Sequence, residues 1–235
     1  MEKAVHLLNL KGNVLDSLLY PGNKKHLIVL CHGFGGCKDD FGIKQLAISL
    51  NKHEYPTFIF DFTGQGKSEG NAEFDLEQQV NDLEVVIDHF KKNYPQITIL
   101  GGSMGGLISA LATIKRADVD SMILVNPFLY LFKKVSWRDT KYLIGTIVLY
   151  PFSKRVRSIY SSYFAYFQPK KLKASTLIIV GKNDKRVSPS HSHQFFNDIN
   201  CEKRLIDDDE IDHELSKQRY VDIVTSYIIN WLQTK

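Results

Sequence analysis

A serine flanked by glycines lies where an apolar strand pattern changes into a helix pattern. The pentapeptide GGSMG at 101–105 follows the β-branched run 97–100 and precedes a small-residue helix start at 106–110. A turn this tight holds Ser103 in a left-handed conformation that costs about 1–3 kcal/mol. Glycines two positions before and after the serine remove side chains that would collide. The pattern predicts a strand, a sharp turn and a helix, with the serine hydroxyl exposed at the positive helix end.

Strands and helices alternate along the rest of the chain. Apolar strands are expected at 26–31, 57–62, 97–100, 121–126, 176–181 and 203–207, and further helices at 41–50, 77–92, 190–197 and 215–232. An antiparallel hairpin from 5–10 and 14–20 is expected first. The alternation predicts the α/β class, with a mostly parallel central sheet and helices on both faces. A length of 235 residues suits a single domain, 1–235.

The segment Pro127–Lys173 interrupts this alternation. It carries ten Lys/Arg against one acid, Asp139, so its net charge is +9, and since the whole chain is +4 the remainder is −5. Because it leaves after one strand and returns before the next, it predicts a small cap insertion over the carboxyl ends of the strands. Two interpretations of its charge are open: solvated lysines and arginines, or a face that meets an anionic membrane surface or an acidic substrate. Nucleic acid is not an expected partner, because the aromatics are mixed with long aliphatics as in a cap packed on a core.

Composition indicates an ordinary soluble globular protein, with 43% hydrophobic and 24% charged residues. The N-terminal stretch MEKAVHLLNLKGN has no apolar run long enough for a signal peptide. The longest apolar run, 142–152, is eleven residues and too short to span a bilayer. Three cysteines make no even framework and are expected to be reduced thiols. These features predict a cytoplasmic protein.

A serine hydroxyl is a poor nucleophile unless a base accepts its proton and a third group orients that base. Asp184 follows the strand 176–181, and His213 follows the strand 203–207, each in a loop. The order serine, acid, histidine and these loop positions suit His213 as the general base and Asp184 as the group that orients it. The alternatives are a turn-forming role for Asp184 and a surface position at a helix start for His213.

Other titratable residues in this part of the chain have simpler expected roles. Four acids at 207–210 are rivals of Asp184 for the orienting role, but they are expected to form a solvated loop. His191 and His193 are two positions apart, so a helix would direct them to different sides, and no metal site is predicted. His32 is expected to bond within its own glycine-rich loop rather than to take part in catalysis.

Acyl transfer also needs N–H donors for the oxyanion of the tetrahedral intermediate. One predicted donor is the backbone N–H of Met104, which directly follows the serine. The other is Phe34 N–H, in the loop CHGFGG at 31–36 after the strand 26–31. Glycines in that loop let its backbone approach the serine closely.

Five segments together resemble the α/β-hydrolase family. They are HGFGG at 32–36, DFTGQGKSEG at 61–70, GGSMGG at 101–106, GKND at 181–184 and DH at 212–213. More narrowly, the chain resembles the branch of monoacylglycerol lipases, cinnamoyl esterases and serine aminopeptidase-like hydrolases, over essentially its whole length. The resemblance implies a serine hydrolase that cleaves small-molecule carboxylic esters through an acyl-enzyme, without metal or organic cofactor. The residues it assigns are Ser103, Asp184 and His213 for catalysis and Phe34 and Met104 for the oxyanion.

One position departs from the family pattern. Relatives usually carry a bulkier residue, often histidine, where this chain has Gly102, so looser packing is expected behind the turn without loss of a catalytic atom. Asp61 and the glycines at 64 and 66 are expected to shape a loop beside the site. A thioesterase or peptidase of the same fold, and a catalytically silent binding protein, are the alternative functions.

Overall fold

The computed structural model describes residues 2–72, 75–130 and 163–235. The strands in these ranges are β1 (Lys3–Ala4), β2 (Leu7–Leu8), β3 (Val14–Leu15), β4 (Ser17–Tyr20), β5 (His26–Cys31), β6 (Thr57–Phe60), β7 (Gln96–Gly102), β8 (Ser121–Val125), β9 (Ser175–Gly181) and β10 (Lys203–Asp208). The helices are α1 (Phe41–Lys52), α2 (Leu76–Lys91), α3 (Ser103–Lys115), α4 (Ser190–Asp198) and α5 (Gln218–Leu232), with a 3₁₀ turn at Pro169–Lys171.

Within the described ranges, eight strands form one sheet in the order β1-β4-β6-β5-β7-β8-β9-β10. Neighbouring strands are parallel through the series β6-β5-β7-β8-β9-β10. Beyond β6, the strands β4 and β1 extend the sheet in antiparallel pairing. The mostly parallel sheet predicted from the sequence is therefore confirmed. Since parallel strands end at a common edge, the loops after β5, β7, β9 and β10 meet there, where open α/β sheets place their sites.

Helices cover both faces of the sheet, which explains why its central strands are apolar at nearly every position. In β5, Leu27 and Val29 join a core with α2, α3 and α4, and Ile28 and Leu30 join a second core with α1 and α5. This alternation follows the two-residue period of a strand. All four of these side chains are fully buried, so the sheet is held between two apolar layers.

The predicted N-terminal hairpin forms with one interruption. Leu7 pairs with Leu15 and Leu8 with Val14 in a small separate sheet, whereas β4 pairs with β6 and β1 in the main sheet. The break falls at Asp16, whose carbonyl accepts from Asp61 N–H and whose N–H donates to Ser68 Oγ. Because the loop 61–70 takes these backbone groups, the pairing is interrupted at Asp16. It resumes beyond that residue in the same register, where Val5 N–H donates to the Ser17 carbonyl and β1 pairs with β4.

The last helix begins three residues later than predicted, at Gln218 rather than Leu215. Leu215 has a positive φ of 53°, and Ser216 N–H donates to Asp212 Oδ1 instead of entering a helix. A left-handed residue cannot continue a right-handed helix. The loop that carries His213 is therefore longer than the periodicity indicates.

The predicted cap insertion at 127–173 lies mostly outside the described residues, which include only 127–130 and 163–173 of it. In these two pieces, Leu129, Tyr130, Tyr163 and Leu172 are buried against the core on the α2–α4 side. The cap itself stays a prediction. Among the described ranges, no helix combines the length and apolar character needed to cross a membrane.

Candidate active site

Ser103 is the first residue of α3 and follows β7 without an intervening loop. Its φ is +51°, the left-handed conformation that the sequence predicts. Side chains at the flanking glycines have no room: a Cβ on Gly105 would lie 2.4 Å from the carbonyl oxygen of Cys31, and one on Gly101 would lie 2.4 Å from that of Gly105. Close contact between α3 and the strands therefore requires both glycines and fixes the turn.

Ser103, His213 and Asp184 form one chain of hydrogen bonds across the carboxyl edge of the sheet. His213 Nδ1 lies 2.7 Å from Asp184 Oδ2, and His213 Nε2 lies 3.0 Å from Ser103 Oγ. An ionised carboxylate can only accept, so Nδ1 carries the proton and Nε2 accepts from the serine hydroxyl. The two side chains are nearly buried, with 10% of His213 and 2% of Asp184 exposed. The arrangement can pass a proton from the serine to the imidazole.

The Asp184 carboxylate is held by its own loop. Its second oxygen, Oδ1, accepts from the backbone N–H groups of Arg186 at 2.7 Å and Val187 at 3.0 Å. These bonds leave Oδ2 directed at the imidazole of His213. The Arg186 guanidinium also pairs with Glu214 at 2.6 Å, which joins the acid loop to the histidine loop at the surface.

The four acids at 207–210 do not form the single solvated loop that the sequence predicts. Asp207 and Asp208 belong to β10. Asp207 bonds His193 at the surface at 2.8 Å, whereas Asp208 is buried and accepts from Ile211 N–H and from the Tyr227 hydroxyl. The prediction is wrong for Asp208, because it caps the turn after β10 from inside the protein.

Asn126 is a site residue that the sequence analysis missed. It is buried at the end of β8 with a φ of +46°. Its Oδ1 accepts from Gly181 N–H at 2.7 Å, at the end of β9, and its Nδ2 donates to the Asp212 carbonyl at 2.9 Å. The Asn126 side chain thus connects the end of β9, before the Asp184 loop, to the loop that carries His213. The available signal was the Asn-Pro pair directly after a strand, which marks a turn.

The loop after β5 passes beside Ser103. A Cβ on Gly33 would lie 3.2 Å from Ser103 Cβ, and Phe34, the predicted oxyanion donor, follows it with an exposed side chain. Met104 is the second residue of α3, so its N–H lies in the first turn, where helix N–H groups lack intrahelical acceptors. The two predicted donors therefore belong to the loop after β5, which approaches Ser103 at Gly33, and to the first turn of α3.

His32 stabilises this loop, as the sequence predicts. Its Nε2 accepts from Phe62 N–H at 3.3 Å, so its Nδ1 carries the proton and donates to the Gly33 carbonyl at 2.9 Å. Burial lowers the pKa of His32, although the Gly33 carbonyl opposes this shift. The neutral imidazole holds the backbone of Gly33 next to Ser103.

Asp61 shapes the neighbouring loop at 61–70. Its buried carboxylate accepts from the N–H groups of Lys38 at 2.5 Å and Lys67 at 2.8 Å. Gly64 and Gly66 both have positive φ in the turn that it closes. These contacts are structural and lie outside the hydrogen-bond chain of the serine.

The two histidines of α4 point to different sides, as their spacing predicts. His191 is buried and its Nδ1 accepts from the N–H groups of Leu129 and Tyr130, while His193 is exposed. In the three described ranges, no group of three or more His, Cys, Asp or Glu side chains is arranged to hold a metal ion.

A cavity of about 420 Å³ opens beside Ser103 and His213. Its walls come from the loop after β5, the first turns of α1, the ends of β7 and β8 and the loop after His213. A substrate in this cavity would contact the serine hydroxyl directly, and the volume lies at the small end of ligand sites, which span about 300–1,000 Å³.

The sequence model of the family described as serine aminopeptidase, S33, matches residues 22–169, more than half of the chain. The chain belongs to this family. A similar protein, the monoglyceride lipase of Rattus norvegicus, is 34% identical over 131 residues, which are 53% of this chain and 43% of the lipase. Protein phosphatase methylesterase 1 of Candida albicans is 30% identical over 112 residues, 46% of this chain and 31% of the methylesterase. The match thus spans less than half the length of either relative.

Solved structures agree on the fold of this family member. Est1E from Butyrivibrio proteoclasticus, solved with ferulic acid, superposes with a TM-score of 0.76 at 19% identity, over 98% of each chain. An esterase of Pyrococcus furiosus gives a TM-score of 0.76 at 18% identity, over 100% of this chain and 90% of the esterase. The α/β-hydrolase resemblance and fold class predicted from the sequence are therefore confirmed.

Proposed function

We propose that this family member is a serine hydrolase that cleaves carboxylic esters of small molecules through an acyl-enzyme. The observation that carries the proposal is the continuous hydrogen-bond chain from Asp184 through His213 to Ser103, with distances of 2.7 and 3.0 Å. A buried carboxylate that fixes the imidazole tautomer and a serine at the free nitrogen are the parts that nucleophilic acyl transfer needs.

In the first half-reaction, Ser103 Oγ attacks the ester carbonyl carbon while its proton moves to His213 Nε2. The carbonyl π electrons move onto oxygen, and the N–H groups of Phe34 and Met104 stabilise that oxyanion. When the tetrahedral intermediate collapses, the bond to the leaving oxygen breaks and His213 returns the proton to that oxygen. An alcohol leaves, and the acyl group stays on the serine.

In the second half-reaction, water attacks the acyl-enzyme and gives a proton to His213 Nε2. Collapse of the second intermediate breaks the bond to Ser103 Oγ, which takes that proton back, and the carboxylic acid leaves. Asp184 remains ionised throughout and stabilises the imidazolium that forms in each half.

The ester class is supported by the names of the relatives, which are a lipase and a methylesterase. Thioesters and amides share the same tetrahedral chemistry, so a thioesterase or peptidase is the alternative reaction. The described residues need no metal or organic cofactor for any step above.

A fluorophosphonate probe tests the proposal, because an activated serine displaces its fluoride and becomes covalently phosphonylated, whereas an ordinary serine hydroxyl does not react appreciably. We expect the wild-type protein to be labelled at Ser103 and the Ser103→Ala variant to be unlabelled. Ser226→Ala is the matched control, since Ser226 is exposed on α5 and, within the described ranges, its hydroxyl bonds only the Ile223 carbonyl. Labelling that persists in Ser103→Ala, or an unlabelled wild type, would contradict the serine hydrolase proposal.

A further inference from the structure

The cavity beside Ser103 extends past Gly102 into the protein. Gly102 borders it, directly before the serine. Its backbone is extended, with φ −106° and ψ 146°, a conformation open to every L residue. Among the residues that the structure describes, a Cβ at this position would meet only the Val125 carbonyl oxygen, at 3.6 Å, which is ordinary contact. Neither strain nor crowding therefore requires glycine here.

Gly101 and Gly105, in contrast, have no space for a side chain. A Cβ on Gly101 or on Gly105 would come within 2.4 Å of backbone oxygen, so those two positions are fixed by the fold. At Gly102 the missing side chain leaves open volume next to the nucleophile. The looser packing that the sequence predicts behind the turn is thus part of the cavity rather than a local defect.

The inner wall of the cavity is apolar. Leu46 of α1, Leu100 of β7 and Val125 of β8 form it, and each is at most 4% exposed. Charged side chains line other parts of the cavity, where Arg186 and Glu214 pair with each other at 2.6 Å. Burying a charged group against the inner wall would be costly without a partner. The wall therefore favours an alkyl or aryl group.

We propose that this space receives a compact apolar substituent of the ester and that Gly102 sets its permitted size. The proposal rests on the proposed function and extends it to the substrate class. The substituent is next to the carbonyl carbon, on its acyl or its alcohol side, because the cavity contacts both Ser103 and His213. Each methylene that the cavity accepts is expected to raise kcat/KM about fourfold, until the space is full.

Two series of nitrophenyl and alkyl esters test this. One varies the acyl group from acetyl to decanoyl with a constant alcohol, and the other varies the alcohol with a constant acetyl group. We expect Gly102→Ala and Gly102→Leu to shift the optimum of one series progressively to shorter chains. Gly102→Leu should lower the ratio of kcat/KM for the longest accepted ester over the acetate ester at least tenfold. The series that responds identifies the side of the ester that enters the cavity.

Val125→Ala provides the opposite change, because it removes volume from the facing wall, and we expect its optimum to shift to longer chains. Ala117→Leu is the control for Gly102→Leu: it introduces the same leucine side chain at an exposed position that does not line the cavity, and it should keep the wild-type profile. Each variant is first labelled with the fluorophosphonate. An unlabelled wild type would overturn the proposed function. Labelled Gly102 and Val125 variants with unchanged profiles in both series would overturn only the cavity proposal.

Discussion

Each oxygen of the Asp184 carboxylate has its own partner, so this residue can be distinguished from the acids nearby. Asp184→Asn keeps the shape but places an amide against His213 Nδ1, which favours the wrong imidazole tautomer. We expect kcat to fall by about 10³–10⁴. Asp207→Asn is the control, since the exposed Asp207 carboxylate bonds the exposed His193 and is not part of the Ser103 hydrogen-bond chain. Its kcat should stay within about twofold of wild type. Steady-state kinetics on an acetate ester measure both, and the reverse ranking would refute the acid assignment.

Ser103 and His213 share one hydrogen bond, so their substitutions should not add. We expect Ser103→Ala and His213→Ala each to lower kcat by several orders of magnitude and the double variant to be little worse, because residues that act as a unit lose their effect together. Single-turnover hydrolysis of an activated ester measures the three variants. Near wild-type turnover in Ser103→Ala would contradict a serine nucleophile.

The sequence predicted the loops of Ser103, Asp184 and His213 because each follows an apolar strand whose end is marked by turn residues. It did not predict Asn126. The two groups that this side chain joins, Gly181 N–H and the Asp212 carbonyl, are 55 and 86 positions away along the chain. A local pattern indicates a turn at Asn126 but carries no information on which distant loops that turn will meet.

At the level of elements, Asn126 at the end of β8 is a positioning residue for two loops. Asn126→Asp keeps the acceptor for Gly181 N–H and the tolerance of positive φ, but it loses the donor to the Asp212 carbonyl. We expect kcat to fall about 10–100-fold, the effect of one buried hydrogen bond, with little change in KM for an acetate ester. Asn93→Asp, at an exposed position, is the control. A change in KM alone, or an equal loss in both variants, would argue against a positioning role.

The loop after β5 should make stability depend on pH. The pKa of buried His32 is lowered by burial, so between that value and about 6.5 the unfolded chain binds a proton that the folded chain does not. The free energy of unfolding therefore decreases as the pH falls below about 6.5, by up to about 1.4 kcal/mol per pH unit from this residue. Above about pH 6.5 this contribution is constant.

Urea unfolding between pH 7.5 and 5 measures this dependence. His32→Gln cannot titrate, so its free energy of unfolding should decrease less steeply over the acid range, even though its stability at pH 7.5 is lower. His26, whose pKa is also lowered by burial, remains in both proteins and gives them a common residual slope. Equal slopes in the two proteins would show that folding does not lower the pKa of His32.

Strands buried on both faces were predicted to within two residues at either end, since a continuous apolar run has little ambiguity when it is bounded by turn residues. The N-terminal hairpin and α5 were predicted less well, because side chains or loops bond to their backbone groups. The pairing of the N-terminal hairpin is interrupted at Asp16 because loop 61–70 bonds the backbone of that residue. Helix α5 begins later than predicted because the Asp212 side chain accepts a hydrogen bond from Ser216 N–H. In both cases a side chain or loop competes with regular secondary structure for backbone groups.

At the scale of the whole molecule, strand order brings the site together. The segments carrying Ser103 and Asp184 follow β7 and β9, with β8 and its Asn126 between them, and His213 follows the edge strand β10. The sequence predicted a mostly parallel sheet and hence a shared edge. It could not predict the cavity, because its walls come from five separate parts of the chain that meet only after folding.

The charge of the molecule is also unevenly distributed, with +9 in segment 127–173 and −5 elsewhere. Co-sedimentation with neutral and phosphatidylserine vesicles at low and physiological salt distinguishes the two interpretations of that segment. Solvated basic residues predict equal binding to both vesicles. An anionic partner predicts binding to phosphatidylserine alone, which weakens as salt rises and is lost when Lys133, Lys134, Arg155 and Arg157 are reversed to Glu.

Of the residues that the structure describes, four that are not glycine have positive φ, and three of them, Ser103, Asn126 and Leu215, surround the cavity or the hydrogen-bond chain. Each such conformation costs about 1–3 kcal/mol, so a glycine at Asn126 or Leu215 would relieve strain. The replacement at Asn126 would also remove the hydrogen bonds to Gly181 N–H and the Asp212 carbonyl, and the replacement at Leu215 would remove a side chain that lines the cavity. Asn126 is buried with two hydrogen bonds and Leu215 is a buried core side chain. Because these contacts stabilise the fold by at least as much as the strain costs, a laboratory selection for heat resistance is expected to retain both residues.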